Sequence, residues 1–153
     1  MVVETAKFGR VVVPDGEVIY FESGLIGFED QKEFFLYPVL ENPAFQWLQS
    51  KSDPSLAILL VDPFVFCPGY EVILSDSLLE ELAIKSQEDV VVFTTISFPD
   101  GDAWNATTNL LGPIVINNSS RKGKQIVLDG TTYSTRHRLF PHGRPALSEE
   151  ACG

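Results

Sequence analysis

The chain has few cysteines, no long apolar run and no basic leader, and each absence excludes a class of protein. Its 153 residues contain two cysteines, Cys67 and Cys152, and Cys152 lies one residue from the end. Two cysteines placed in this way do not form a disulfide framework. No stretch approaches the about 18 consecutive apolar residues of a transmembrane helix, and no basic region followed by an apolar run opens the chain. We therefore expect a cytoplasmic protein that does not enter a membrane.

Basic residues are also scarce. The chain has 21 Asp and Glu against 11 Lys and Arg, which gives a net charge of −10. The imbalance lies in residues 1–110, with 18 acidic and 5 basic side chains, or net −13, while residues 111–153 have 3 and 6, or net +3. A nucleic-acid backbone repels such a chain, so we expect no direct nucleic-acid binding. A basic partner would be attracted to it.

Short β-branched and aromatic runs separated by Gly, Pro, Asn and Asp dominate the sequence. They predict about ten short strands: Lys7–Val13, Glu17–Phe21, Glu33–Tyr37, Phe45–Gln49, Leu56–Val61, Tyr70–Leu74, Val90–Phe98, Thr107–Leu111, Pro113–Asn117 and Gln125–Leu128. The first two strands, separated by Pro14-Asp15-Gly16, predict a hairpin. The pattern indicates a mainly β, single-domain antiparallel barrel or roll, with a β-sandwich as the alternative.

One short helix is predicted, over Ser77–Ile84. Ser77 and Glu80 have capping-box spacing, and Glu81 and Lys85 are placed to form an ion pair on the exposed face. The predicted domain covers residues 1–140. The tail 141–153 contains little to bury and is expected to be disordered.

The residues that usually carry catalysis or bind metals are poorly placed. Cys67 has apolar residues before it and no basic neighbour in sequence, so we expect a small core residue. His137 and His142 have arginines around them and no nearby cysteine, which disfavours a metal site. The Asp and Glu pairs lie in predicted turns or on the helix surface, and no glycine-rich phosphate motif is present. We therefore expect no cofactor, no metal and no catalytic group.

The segment Gly24–Glu29 has two interpretations. In the structural one, the glycines shape a turn that places Leu25 and Phe28 in the core. In the functional one, Ile26 or Phe28 is an exposed anchor for a partner, next to acidic residues such as Glu29 and Asp30. The residues alone favour the structural interpretation.

Five blocks in order then resemble the FliW family of flagellar assembly factors. Phe21–Glu29 is similar to that family's Gly-Leu-Pro-Gly-Phe-Glu signature, although Ile26 stands where proline is usual. In the later block Thr108–Asn117, Gly112 stands where alanine is common. The other four blocks are Phe45–Ser50, Leu60–Pro63, Thr108–Asn117, and Lys124–Leu128 with the Tyr133–Arg136 ending. The resemblance spans about residues 7–138.

This resemblance implies a β-rich, barrel-like cytoplasmic protein without enzymatic activity. Members of the family bind flagellin and the RNA-binding translational repressor carbon storage regulator A, and so relieve repression of flagellin translation. The partner contacts expected here are Ile26, Phe28, Glu29, Asp30, Asn109 and Asn117. For the two asparagines, capping of a turn by the side chain is an equal alternative.

Two other functions remain open. One is a barrel that binds or hydrolyses a carbohydrate or other small ligand through an Asp/Glu pair in its mouth. The other is an RNA binder that uses Lys122, Lys124, Arg136 and Arg138, which the net charge of −10 disfavours.

Overall fold

The computed structural model describes residues 1–142, so the predicted tail lies outside the described residues from Gly143 onward. The division at residue 140 therefore stays a prediction. The described part has eleven strands: β1 Val2–Thr5, β2 Gly9–Val12, β3 Ile19–Tyr20, β4 Glu33–Pro38, β5 Phe45–Ser50, β6 Ala57–Val61, β7 Val90–Ser97, β8 Thr107–Thr108, β9 Ile114–Asn117, β10 Lys122–Gln125 and β11 His137–Arg138. Two short helices are α1 Pro63–Phe66 and α2 Asp76–Glu81, and single 3₁₀ turns lie at Asp15–Glu17, Gln87–Asp89 and Ala103–Asn105.

Seven of the strands close into a barrel. Strands β3 to β7 pair in chain order, β7 also pairs with β9, β9 with β10, and β10 returns to β3. All of these pairings are antiparallel except β3 with β10, where Tyr20 is parallel to Lys122. The prediction of a mainly β barrel is confirmed, and closure through β7 and β9 excludes the sandwich. The parallel pair was not predicted.

Apolar side chains fill the barrel. The buried cluster consists of Ile19, Phe21, Leu25, Phe34, Leu48, Leu60, Ile114 and Ile116. The rings of Phe21 and Phe34 meet edge to face with centroids 5.5 Å apart, an arrangement that aromatic pairs prefer. Six of these residues lie in strands, where alternate side chains point to one face, and Phe21 and Leu25 follow β3.

The N-terminal hairpin differs from the prediction. Strand β1 pairs with β2, and the Pro14-Asp15-Gly16 segment leads into a 3₁₀ turn rather than joining two paired strands. The side chain of Thr5 makes the actual turn, because its Oγ1 accepts from Phe8 N–H at 2.9 Å and donates to the Gly9 carbonyl at 2.8 Å. The predicted hairpin was therefore wrong, and strand β1 was missed.

Two further predicted strands are wrong in place or in kind. Residues 70–74 belong to no strand, and the last long strand is Lys122–Gln125 instead of Gln125–Leu128. Gly123 sits against the ring of Phe21, where an added Cβ would lie 2.6 Å from a ring carbon. A glycine in this strand therefore serves close packing on the barrel core.

The helix is present but begins and ends earlier than predicted. Ser75, not Ser77, is the N-cap, and its Oγ accepts from Leu78 N–H at 3.1 Å. The last turn ends at Leu82, because Ala83 has a φ of +54°. The predicted ion pair is replaced by a longer-range one, in which Lys124 Nζ lies 3.0 Å from Glu81 Oε1.

Helix α1 was not predicted, although its start is encoded in the sequence. Asp62 accepts from Phe64 N–H at 3.0 Å, and Pro63 occupies the first helical position. Proline is favoured there because its missing N–H would have no partner in any case.

Candidate partner-binding site

Residues 24–29 form a tight turn whose shape is set by glycine. Phe28 N–H donates to the Leu25 carbonyl at 2.8 Å, with Ile26 and Gly27 at the tip of the turn. Gly27 has a φ of +91°, which residues other than glycine rarely adopt. Leu25 is buried in the barrel core, whereas Ile26 is 57% and Phe28 44% exposed. The structural interpretation therefore holds for Leu25 and is wrong for Phe28.

Gly24 is required for a second reason besides its backbone angle. Its φ is +65°, and a Cβ added there would lie 2.7 Å from the Glu29 Cα, the Glu29 carbonyl and the Phe28 carbonyl. The turn folds back directly over this position. The two glycines thus hold the exposed Ile26 and Phe28 side chains in place.

Glu29 both stabilises the turn through a hydrogen bond and gives it a negative charge. Its Oε2 accepts a hydrogen bond from Gly27 N–H at 3.1 Å. Hydrogen bonds from the backbone N–H groups of Gly27 and of Glu29 itself hold the pKa of this carboxyl below its ordinary value. Glu29 and its neighbour Asp30 are both exposed. The turn therefore presents two apolar side chains beside two carboxyl groups.

Gln125, a residue that the sequence reasoning missed, ties this turn to a second one. Its Oε1 accepts from Ile26 N–H at 3.0 Å, and its Nε2 donates to the Gly112 carbonyl at 2.9 Å. Asn109 shapes that second turn, because its Oδ1 accepts from the N–H groups of Leu111 and Gly112. The structure thus places Asn109, half-buried, beside the turn that carries Ile26 and Phe28. No local pattern indicates a link between residues 99 positions apart.

Asn117 lies elsewhere and is 1% exposed. Its Nδ2 donates to the carbonyls of Leu82 and Ala83, and its Oδ1 accepts from Ser119 N–H at 2.9 Å. These bonds satisfy the amide inside the chain and join the end of α2 to the turn after β9. Asn117 therefore has the capping role that the sequence left open, and it presents no surface to a partner.

Cys67 has a neighbour that the sequence did not indicate. The Sγ atom of Cys67 lies 3.1 Å from Nε2 of His137, which strand β11 brings to it. The absence of a basic residue beside Cys67 in the sequence therefore did not predict its surroundings in the fold. Across residues 1–142, no group of three or more His, Cys, Asp or Glu side chains is placed to hold a metal ion.

These observations define a small closed β-barrel with an apolar interior and an anchored surface turn that is both apolar and acidic. The family model described as FliW protein matches residues 2–139. The chain belongs to the FliW family.

Relatives and a solved structure agree with this assignment. The chain is 51% identical over 140 residues to the flagellar assembly factor FliW of Moorella thermoacetica, covering 92% of this chain and 89% of that protein. It is 41% identical over 143 residues to the protein of the same name from Geobacillus sp. strain WCH70, covering 92% and 96%. A crystal structure of a flagellar assembly factor FliW has a TM-score of 0.83 at 38% identity and covers 92% and 98% of the two chains. No helix within residues 1–142 is long and apolar enough to cross a membrane.

Proposed function

We propose that this chain is a cytoplasmic flagellar assembly factor that binds flagellin and antagonises carbon storage regulator A. In this role it acts by binding, without catalysis and without a cofactor. Bound to the chain, the repressor no longer blocks translation of flagellin messages, and newly made flagellin competes for the chain and releases the repressor. Close relatives named flagellar assembly factor support the flagellar role. The family resemblance supplies the two partners.

The observation that carries the proposal is the exposure of Ile26 and Phe28 on a fixed turn beside Glu29 and Asp30. Interface hot spots are typically apolar or aromatic anchors, and a held conformation lowers the entropy lost on binding. The neighbouring carboxyl groups suit a basic partner. We propose Ile26, Phe28, Glu29 and Asp30 as direct contacts and Asn109 as a residue that supports them.

The charge of the chain suggests how binding inhibits the repressor. If residues 1–110, net −13, lie beside the repressor's RNA-binding surface, their field repels RNA phosphates without occupying that surface. The inhibition should then weaken as salt rises, because the Debye length falls from about 10 Å at 0.1 M to about 3 Å at 1 M. Inhibition that persists at high salt with the complex intact would contradict this mechanism.

Titration calorimetry against the carbon storage regulator of the same organism, with its flagellin as competitor, tests the proposal. Tight binding that flagellin displaces is the expected result. Phe28→Ala should weaken binding by about 30-fold, the effect of a hot-spot loss of about 2 kcal/mol. Phe98→Ala is the matched control, because Phe98 is 42% exposed against 44% for Phe28.

Two results would count against the proposal. Absence of binding to both partners would overturn it and favour the ligand-binding barrel. Equal binding by the Phe28 and Phe98 variants would show that the partners do not contact Phe28 in this turn.

A further inference from the structure

Residues 71–75 form a thin wall between two surface grooves. Glu71, Ile73 and Ser75 line the first groove, and the alternate residues Val72 and Leu74 line the second. This alternation is that of a β-strand. It explains why the sequence predicted a strand here, although none of these residues pairs with another strand within the described chain.

The central backbone of the wall, residues 72–74, has no hydrogen-bond partner within the described chain. Glu71 N–H donates to the Tyr133 hydroxyl at 3.0 Å, but among residues 1–142 no hydrogen bond involves the N–H or C=O groups of residues 72–74. The unpaired N–H and C=O groups of an exposed extended segment are a template for pairing with another chain, so this segment has unused strand-pairing capacity.

On the opposite side of the first groove, residues 126–128 also include a backbone group without a hydrogen-bond partner in the described chain. Ile126 N–H donates to the Pro113 carbonyl at 2.9 Å, and Leu128 N–H donates to the Leu111 carbonyl at 2.8 Å. Because successive N–H groups of an extended chain point to opposite sides, the N–H of Val127 points away from residues 111–113. It has no hydrogen-bond partner within the described residues.

The groove between these two segments has a volume of about 680 Å³ and both apolar and acidic walls. Ile73 is 82% and Val127 50% exposed, which is unusual for aliphatic side chains that line the same groove. Three carboxyl groups line it, those of Glu71, Glu81 and Asp129. Its one lysine, Lys124, is already paired with Glu81. The groove therefore favours a ligand that is apolar and basic.

We propose that this groove binds an extended segment of a partner protein, which adds as a strand to the backbone of residues 72–74. Strand addition supplies the missing main-chain hydrogen bonds. The side chains of alternate residues in the added segment determine which segments bind. Its apolar residues pack on Ile73 and Val127, and its basic residues lie near Glu71 and Asp129. The inference rests on the proposed function, because the segment belongs to a protein that the chain binds in that role.

Binding of a labelled peptide to the full-length chain tests the groove directly. The probe is an eight-residue peptide of alternating valine and lysine, measured by fluorescence anisotropy. Ile73→Ser should weaken binding at least tenfold, since residue 73 then has no aliphatic side chain to bury against the peptide. Leu40→Ser is the matched control, because Leu40 is 89% exposed and lies outside the groove, and it should bind as the unchanged chain does.

Two methylated peptides separate strand pairing from simple charge attraction. One carries N-methyl groups on all valine amides and the other on all lysine amides, so each blocks one edge of the extended peptide. At least one of them should lose binding. The inference is wrong if the unmodified peptide does not bind, if both methylated peptides bind as well as it does, or if the Ile73 and Leu40 variants bind equally. Self-association of the chain that Ile73→Ser abolishes would identify a second copy as the occupant and would also overturn it.

The same two variants separate this inference from the proposed function. If the unchanged chain binds neither the regulator nor flagellin, the proposed function fails. If it binds them and the Ile73 and Leu40 variants bind equally well, the function stands and the groove inference fails. Selective loss of one partner in Ile73→Ser supports both.

Discussion

The backbone N–H of Ile26 donates a hydrogen bond to Oε1 of Gln125 at 3.0 Å, across 99 residues of sequence. Proline, which the family signature has at this position, possesses no N–H and cannot form this bond. The tether therefore depends on this chain's departure from the signature. It holds the exposed turn to strand β10, and through the Gly112 carbonyl to the neighbouring loop.

Gln125→Ala should release the turn. We expect a loss of about 1 kcal/mol in the free energy of unfolding, typical of one net hydrogen bond, and faster amide exchange at Ile26. Hydrogen exchange followed by NMR measures both effects. Gln125→Glu retains an acceptor for Ile26 N–H but no donor for the Gly112 carbonyl, so it should keep the protection at Ile26. Unchanged exchange in Gln125→Ala would show that the tether does not restrain the turn.

Gly24→Ala and Gly27→Ala should differ although both glycines have positive φ. At Gly27 nothing lies within 4 Å of an added Cβ, so only the backbone preference is lost, about 1–2 kcal/mol. At Gly24 the Cβ would also meet three backbone atoms at 2.7 Å, so the loss should exceed that of Gly27→Ala. Urea unfolding monitored by tryptophan fluorescence measures the difference. Equal losses would mean that the loop relaxes around residue 24.

The carboxyl group of Glu29 should make the free energy of unfolding depend on pH in the acidic range. Its pKa in the folded chain is lowered by hydrogen bonds from the Gly27 and Glu29 N–H groups. The resulting stabilisation is therefore complete above the unfolded-state pKa and is lost as the pH falls through the folded-state pKa. An NMR titration should place the Glu29 midpoint below 4.5, its ordinary value. Glu29→Gln should remove this contribution to the pH dependence; an unchanged profile would contradict the assignment.

The hydroxyl of Tyr70 should make the free energy of unfolding depend on pH in the alkaline range. It donates to the Leu110 carbonyl at 2.6 Å inside a buried cluster, and burial, followed by the neighbouring Tyr133, raises its pKa. Because the folded-state pKa is the higher one, its stabilisation is complete below the unfolded-state pKa near 10 and declines as the pH rises above that value. Tyr70→Phe should remove this alkaline loss.

The same substitution should also cost stability at neutral pH. It leaves the Leu110 carbonyl without its partner, so we expect a loss of about 1–3 kcal/mol in thermal or urea unfolding. Tyr20→Phe is the control, because Tyr20 is 46% exposed, and its free energy of unfolding should change by less than about 0.5 kcal/mol. Equal effects of the two substitutions would mean that the Tyr70 hydroxyl does not stabilise the fold.

The sequence predicted best where one local signal determined the outcome. The central strands Glu33–Tyr37 and Phe45–Gln49 were placed within a residue, because short runs rich in aromatic residues, bounded by Pro, Asn and Asp, are a direct strand signal. The helix was found but shifted, because Ser75 and Ser77 are both residues that favour the N-cap, and in the fold it is Ser75 that accepts from Leu78 N–H.

The candidate site was only partly predictable for a related reason. Exposed Ile26 and buried Leu25 are adjacent aliphatic residues, and their sorting depends on the φ of two glycines. Gln125 and the Cys67–His137 contact depend on long-range pairing that no local pattern encodes. Tyr70–Leu74 has the alternation of a strand, yet no neighbouring strand in the described chain completes it.

The parallel pairing of β3 with β10 also sets the timing of assembly during synthesis. Strand β3 is made early, but its partner Lys122 is translated about a hundred residues later. A nascent chain still lacking residues 122–125 has neither a closed barrel nor the Gln125 tether on Ile26. The exposed turn therefore lacks its tether to strand β10 until residues 122–125 have been made. Under the proposed function, only a chain extended past residue 125 would present the tethered turn to a partner.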